Sequence, residues 1–268
     1  ILIYGFHCGT EGVAIPTLVS RFVAAFIIIK LLLKDKWSLH LERTYRFNPD
    51  WSMIRKILSV GIPNGLENSM FQLGKVLVLS LVSTFGTYAI AANAVSNVIT
   101  LFSILPGQAI CLAVTTVIAR CVGAGDYEQA KYYNKKLILL THIGMAITIF
   151  IVFITLPFIL KVYNLSEAAS EATRHIIWFH GFCAILIWAE SFTLPATFRA
   201  CGDAKACMII STVSMWIFRV GASYILGKNL GLGVFGVWVA MIIDWAFRSL
   251  LFGIRYFSGK WKKHALVS

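Results

Sequence analysis

The sequence predicts an all-α integral membrane protein, a polytopic helix bundle of about seven transmembrane helices, and three observations lead there. Hydrophobic residues make up 58% of the 268 residues and charged residues 13%, with a mean hydropathy of +0.77; a soluble domain carries roughly 25% charged residues. The apolar residues gather into runs of about 20, the length a helix needs to cross a hydrocarbon core of ~30 Å. The basic residues gather between those runs, weighted to one side of them.

Counting runs gives spans near 13–33, 57–83, 88–118, 137–161, 175–198, 206–227 and 233–255. The connections test the count. Lys34, Lys36, Arg43, Arg46, Arg55, Lys56, Arg120, Lys131, Lys135, Lys136, Arg199, Lys205, Arg255, Lys260, Lys262 and Lys263 fall on one side of the membrane in this register. Lys161, Arg174 and Lys228 fall on the other. Such a bias places the rich side, and the C-terminus with it, in the cytoplasm. Segment 34–56 is the one long polar connection. In it Asn48-Pro49-Asp50 reads as a helix start, with Asn as cap, Pro in the first turn and Asp suited to the dipole. Trp51, Ile54 and Leu58 then share a face. Both a short amphipathic helix on the inner membrane surface and a plain extension of the second span account for that pattern.

Other classes fit poorly. The net charge of +12 raises nucleic acid as a partner, but the basic residues sit at span ends, which excludes it. Cys8, Cys111, Cys121, Cys183, Cys201 and Cys207 form no CxxC pair and have no zinc spacing with histidine. No metal and no cofactor is expected. Loop 122–130 has the glycines of a helix end and restart, without the spacing of a phosphate cradle. GxSxG and HExxH are absent, so the chain is not expected to be an enzyme. It opens Ile1-Leu2-Ile3-Tyr4, with no Met and no basic region before a cleavage site. That reads as a piece whose start is missing.

The chemistry lies in charges within the spans, each costing ~2.5–3.5 kcal/mol on insertion scales. Within the second to seventh spans, Glu67, Lys75, Glu190, Arg219 and Asp244 are well inside, with Arg248 at the border. At 1.5 Å per residue, Glu67, Glu190 and Asp244 lie ~12–16 Å from span ends, near the midplane where transporters hold substrates and ions. A desolvated carboxylate can load a proton or help to hold Na⁺. Alternatively each is neutralised by a neighbour: Arg248 stands i,i+4 from Asp244, and Arg219 is on the adjacent span. Asn64, Asn68 and Gln72 form one polar stripe, and Asn93 and Asn97 form another, with Gln108 further along. Such stripes suit a wet cavity or interhelical hydrogen bonds. Pro63, Pro106, Pro157 and Pro195 fall inside spans, and Pro106-Gly107 is the best candidate hinge.

Four stretches carry a resemblance. Gly61-Ile62-Pro63-Asn64-Gly65-Leu66-Glu67-Asn68-Ser69 resembles the start of the seventh helix of bacterial multidrug and toxic compound extrusion (MATE) transporters. Val122-Gly123-Ala124-Gly125-Asp126 resembles the loop after their eighth helix, and Leu194 to Asp203 the "LRGxGD" pattern ending the tenth. Gly236 to Met241, with Asp244-Trp245, resembles the twelfth helix of one bacterial branch. Their order and spacing match over nearly the whole chain. Two positions depart: Phe71 and Trp188 stand where some members carry acids, with Glu67 and Glu190 close by.

The resemblance implies that 1–33 is the last helix of an N-terminal bundle, 34–56 a cytoplasmic linker, 57–258 a six-helix C-terminal bundle and 259–268 a basic cytoplasmic tail. It implies a multi-pass protein of the cell membrane, surrounded by lipid, that needs the rest of its N-terminal bundle. The function implied is a Na⁺- or H⁺-coupled antiporter exporting drugs or organic cations by alternating access. Glu67, Glu190 and Asp244 would then handle the coupling ion. Asn68, Gln72, Lys75, Asn93 and Asn97 would line the cavity, with Arg219 and Arg248 in the structural ion pair and Pro63, Pro106, Gly107 and Pro195 as hinges. A lipid-linked-oligosaccharide flippase of the same superfamily is the alternative, since Lys75, Arg219 and Arg248 could serve a pyrophosphate. A membrane receptor or assembly subunit without transport would have every midplane carboxylate paired.

Overall fold

The computed structural model describes residues 11–34 and 49–264. The chain divides into two compact units between Trp51 and Ser52, inside the segment read as a linker. Residues 35–48 of that segment, with Asn48, lie outside the described residues, as do Cys8 and the last four residues of the tail.

In the first unit, α1 runs Glu11–Leu32 with Pro16 inside it. Its apolar residues are spread around the helix rather than gathered on one face, and Arg21 and Lys30 are the cations among them. Lys30 folds its ammonium over the Phe26 ring, 4.6 Å from the centroid.

The second unit carries α2 (Trp51–Ser83), α3 (Thr87–Gly123), α4 (Tyr127–Tyr163), α5 (Glu167–Ala200), α6 (Ala204–Ser214) and α7 (Gly233–Phe257). Past Ser214, α6 continues in wider π-helical turns over Met215–Gly221 and Tyr224–Asn229, and a short 3₁₀ turn over Lys260–His264 ends the described chain. There is no strand among the described residues.

Among the described residues six helices are long and apolar enough to cross a membrane: α1, α3, α4, α5, α6 with its continuation, and α7. The seventh expected span, α2, has 33 residues but is too polar to qualify by composition, because Arg55, Lys56, Glu67 and Lys75 stand on it with three amides. It starts at Trp51 and runs unbroken, so the amphipathic turn before the span is an extension of the span itself. Helices α4 and α5 likewise outrun their apolar stretches at the start, where polar residues from Tyr127 and Glu167 onward continue the helix.

Turns follow local chemistry. Gly125 takes φ 75° between α3 and α4, a conformation that glycine enters without steric cost. Asp126 beside it caps α4 by accepting the Gln129 amide at 2.8 Å. The glycine loop 122–130 is thus a helix break and restart. Asn164 at φ 47° ends α4, and Ser166 caps α5.

Between helices in lipid, small residues allow close approach. Gly107 on α3 lies under the Trp188 ring of α5, and Gly181 on α5 lies under Phe153 of α4. The packed interior has one apolar cluster at Met145, Ile149, Ala184, Trp188, Trp238 and Trp245. A second, at Val114, Ile118, Phe198, Cys207, Phe252 and Trp261, closes the end where α5 and α7 finish. Helices α2, α3 and α5 run unbroken through Pro63, Pro106 and Pro195. Gly107, expected as part of a hinge, packs beneath Trp188, and a side chain there would strike the ring.

Candidate functional site

The inward face of α2 is set by residues three, four and seven apart: Pro63, Glu67, Gly74, Leu81 and Val82 are buried, with Phe71 half-buried between them. Glu67, only 7% exposed, receives Arg199 from the last turn of α5. Arg199 Nη2 donates to both carboxylate oxygens, at 2.8 and 2.9 Å. Arg199, read from sequence as a loop cation, is therefore the partner of Glu67. The tenth-helix motif at 194–203 contains it, but no spacing within α2 could have found it.

The same motif supplies a second pair. Asp203 is buried and accepts Arg255 Nε of α7 at 2.6 Å. This ties the α5–α6 turn to the end of α7.

Glu190 meets His142 of α4. His142 Nε2 lies 3.0 Å from Glu190 Oε1, and Nδ1 lies 2.7 Å from the Ile185 carbonyl oxygen. A carbonyl can only accept, so Nδ1 carries a proton. Nε2 then either donates to an ionised Glu190 or accepts from a protonated one. Both descriptions hold one proton between the two side chains.

Asp244, fully buried, accepts the Ser214 hydroxyl of α6 with Oδ1, while Oδ2 has no partner. The expected ion pair with Arg248 or Arg219 is not formed: among the described residues no basic nitrogen lies within 4.0 Å of Asp244. The i,i+4 spacing puts Arg248 on the right face, but its guanidinium turns to α6 and α5. It donates to Ser211 at 3.1 Å and lies 4.8 Å from the centroid of Phe192. Arg219, within the π-helical stretch, donates to the Met241 sulfur at 3.1 Å.

The three carboxylates do not share one level. Ser191 donates to the Trp245 carbonyl at 2.6 Å, which sets the neighbouring Glu190 and Asp244 level with each other. Glu67 is level with Arg199, nine residues further along α5, or ~14 Å away at 1.5 Å per residue. Depth counted from the end of an apolar run assumes that helices start at one height; tilt and offset break that assumption.

The polar stripes divide. Asn68, Gln72 and Lys75 on α2 and Asn97 on α3 are exposed, as residues facing a cavity or a further bundle would be. Asn93 instead accepts the Trp238 indole of α7 at 3.1 Å, an interhelical bond that its spacing alone did not distinguish from a cavity contact. Among the described residues no group of three or more His, Cys, Asp or Glu could hold a metal ion.

The sequence model of the MatE family matches residues 63–225, most of α2 through the π-helical turns. The chain belongs to the MatE family. Relatives of this MatE chain include "Probable multidrug resistance protein NorM" of Thermotoga maritima, 27% identical over 99% of this chain and 57% of its own length. Another is "Probable multidrug resistance protein YoeA" of Bacillus subtilis, 25% identical over 98% of this chain and 57% of its own length. The chain thus spans little more than half the length of these relatives. Among solved structures it matches a multidrug resistance MATE family transporter of the MOP superfamily in an outward-facing conformation, with TM-score 0.86, 20% identity, 98% of this chain and 59% of that one. It also matches a MOP superfamily transporter from Pyrococcus furiosus, with TM-score 0.84, 21% identity, 97% of this chain and 59% of that one. At those identities the solved structures establish the fold alone, and with six helices able to span among the described residues the MatE chain is a multi-pass membrane protein.

Proposed function

We propose that this MatE chain supplies the C-terminal bundle of a multidrug exporter, which works by alternating access with an N-terminal bundle and draws on a cation gradient across the cell membrane. The observation that carries the reading is the likeness to the NorM protein of Thermotoga maritima along 99% of the chain. The site adds the means of coupling. Glu190 and His142 share one proton; histidine is the side chain that most readily gains and loses charge near neutral pH. Removing that proton would set the Nε2 lone pair against a carboxylate, so the pair cannot keep its present geometry when empty. That favours H⁺ over Na⁺ as the ion handled at Glu190.

Asp244, with one oxygen unpartnered in a buried setting, is the second candidate for ion handling. Glu67, saturated by Arg199, is reassigned to holding α2 against α5. A receptor or assembly subunit with every midplane carboxylate neutralised is disfavoured, because Asp244 has no basic partner within 4.0 Å.

The test is drug-dependent proton movement in inverted vesicles carrying the full-length parent. Wild type is expected to dissipate a preset pH gradient on drug addition, and Glu190→Gln to lose at least about tenfold of that rate, as removal of a proton-transfer group does. An unchanged rate in Glu190→Gln removes the assignment. Activity that follows an imposed Na⁺ gradient and ignores pH replaces the proton with Na⁺.

A further inference from the structure

We propose that Lys75, Arg219 and Arg248, gathered around the ring of Phe71, bind the anionic head of an amphiphilic organic molecule: a carboxylate, sulfonate or phosphate on an apolar body. The Phe71 centroid has the Lys75 ammonium at 5.3 Å, the Arg219 guanidinium at 5.3 Å and the Arg248 guanidinium at 5.7 Å. A phenyl ring has two faces, so three cations cannot all take its attractive side, and their mutual repulsion stays uncompensated.

The charge balance leaves cations over. Glu67 is taken by Arg199, so one carboxylate, Asp244, stands against three bases, and one of its oxygens already accepts Ser214. Arg248 is 3% exposed, yet its Nε and Nη1 have no hydrogen-bond partner. A guanidinium does not lose its proton in a protein. A buried cation whose donors go unanswered is strongly destabilising, so the cluster is built for an oxygen-rich anion. Lys75 is exposed and Arg219 half-buried, which gives the anion an approach to Arg248 beneath. Exposed Leu79 and Val76 beside Lys75 on α2 offer apolar surface for the body of the ligand. The wider turns carrying Arg219 fit a binding role, since π-helical insertions recur at functional sites.

This specifies the substrate class of the exporter and rests on that reading for the purpose of the site, whereas the binding itself does not require transport. It replaces the expected organic cation at this bundle, where a fourth positive charge would meet these three.

The experiment is equilibrium binding in detergent, without any gradient, using two probes with the same body: pyrenebutyrate and its trimethylammonium isostere. Binding is read by energy transfer from tryptophan. Wild type is expected to favour pyrenebutyrate at least about tenfold, the size of one charged hydrogen bond. Arg219→Gln and Lys75→Gln are each expected to weaken pyrenebutyrate by about three- to tenfold and to leave the cationic probe unchanged or tighter, with thermal melts confirming that both variants fold. Arg219→Lys is expected to recover part of the loss. Equal or tighter binding of the cationic probe by wild type overturns the site, as does indifference of both variants. Displacement by phosphatidylglycerol with no pyrenebutyrate binding assigns the cluster to a lipid headgroup and also overturns it. Export measured in parallel separates the two readings: transport of the cationic probe without an anion preference removes the site and leaves the exporter, and an anion preference without transport does the reverse.

Discussion

Single side chains explain why this bundle tolerates so many charges. Glu67 is buried and holds both oxygens on one nitrogen of Arg199, so neither charge is isolated. Removing one partner of a buried pair leaves the other unanswered, which costs about 3–5 kcal/mol, while replacing both with apolar residues of similar volume is often neutral. Arg199 retains some exposure, 27% of its side chain, and water can answer part of its charge. Glu67→Gln is therefore expected to lower stability by about 2–3 kcal/mol, read as a fall in the detergent melting temperature. The double variant Glu67→Leu with Arg199→Met is expected to recover at least half of that fall. No recovery would mean that the two side chains do not act as a pair. Asp203 with Arg255 follows the same logic at the α5–α6 turn. Asp244 and Arg248 do not: among the described residues neither has an oppositely charged partner within 4.0 Å, and Asp244 Oδ2 and Arg248 Nε and Nη1 have no hydrogen-bond partner.

Several helices in this bundle approach closely at a glycine, often with a bulky ring seated on it, because lipid removes the hydrophobic gain that packs helices in water and leaves close van der Waals contact to hold them. Gly236 on α7 shows how tight the meeting is. A Cβ there would stand 2.8 Å from the carbonyl carbon and oxygen of Leu226, in the π-helical continuation of α6. That contact is backbone, which cannot rotate away. Gly253, nearly five turns on along the same helix, has nothing within 4 Å of the same position. Gly236→Ala is expected to cost about 1–3 kcal/mol through overpacking, and Gly253→Ala to be neutral or slightly stabilising through helix propensity. Thermal melts of the two variants check this, and equal melting would show that the α6–α7 approach is looser than described. Gly107 beneath Trp188 belongs to the same class. The Pro-Gly pair in mid-helix reads from sequence as a bend, and the structure adds a packing reason for the glycine in the indole that rests on it.

At the scale of the whole molecule, the elements were legible and the partners were not. Apolar runs placed all seven helices within a few residues at their cores, because a ~30 Å hydrocarbon layer imposes one length on every span. Helix ends were missed by up to ten residues at α4, where polar residues 127–136 continue the helix. The site was half legible: charges inside spans marked the right residues, but the pairs Glu67–Arg199 and Glu190–His142 join residues 132 and 48 positions apart, which periodicity within one helix cannot reach. The alternation of helices also fixes a prediction. Within the second unit, the turns at Thr84–Gly86, Asn164–Leu165 and Leu230–Leu232 end α2, α4 and α6, and those at Ala124–Asp126 and Cys201–Asp203 end α3 and α5. If α2 to α7 each cross once, the first set of turns lies on one side, and the second set lies on the other with the end of α7. The second side carries Arg120, Lys131, Lys135, Lys136, Arg199, Lys205 and Arg255, while the first carries Lys161, Arg174 and Lys228. Short connections this unequal orient with the basic side in the cytoplasm. A fluorescent protein fused after the last residue is expected to glow, and a single cysteine placed at Gly231 is expected to react with a membrane-impermeant maleimide in intact cells. A dark fusion together with an unreactive Gly231→Cys would invert the bundle.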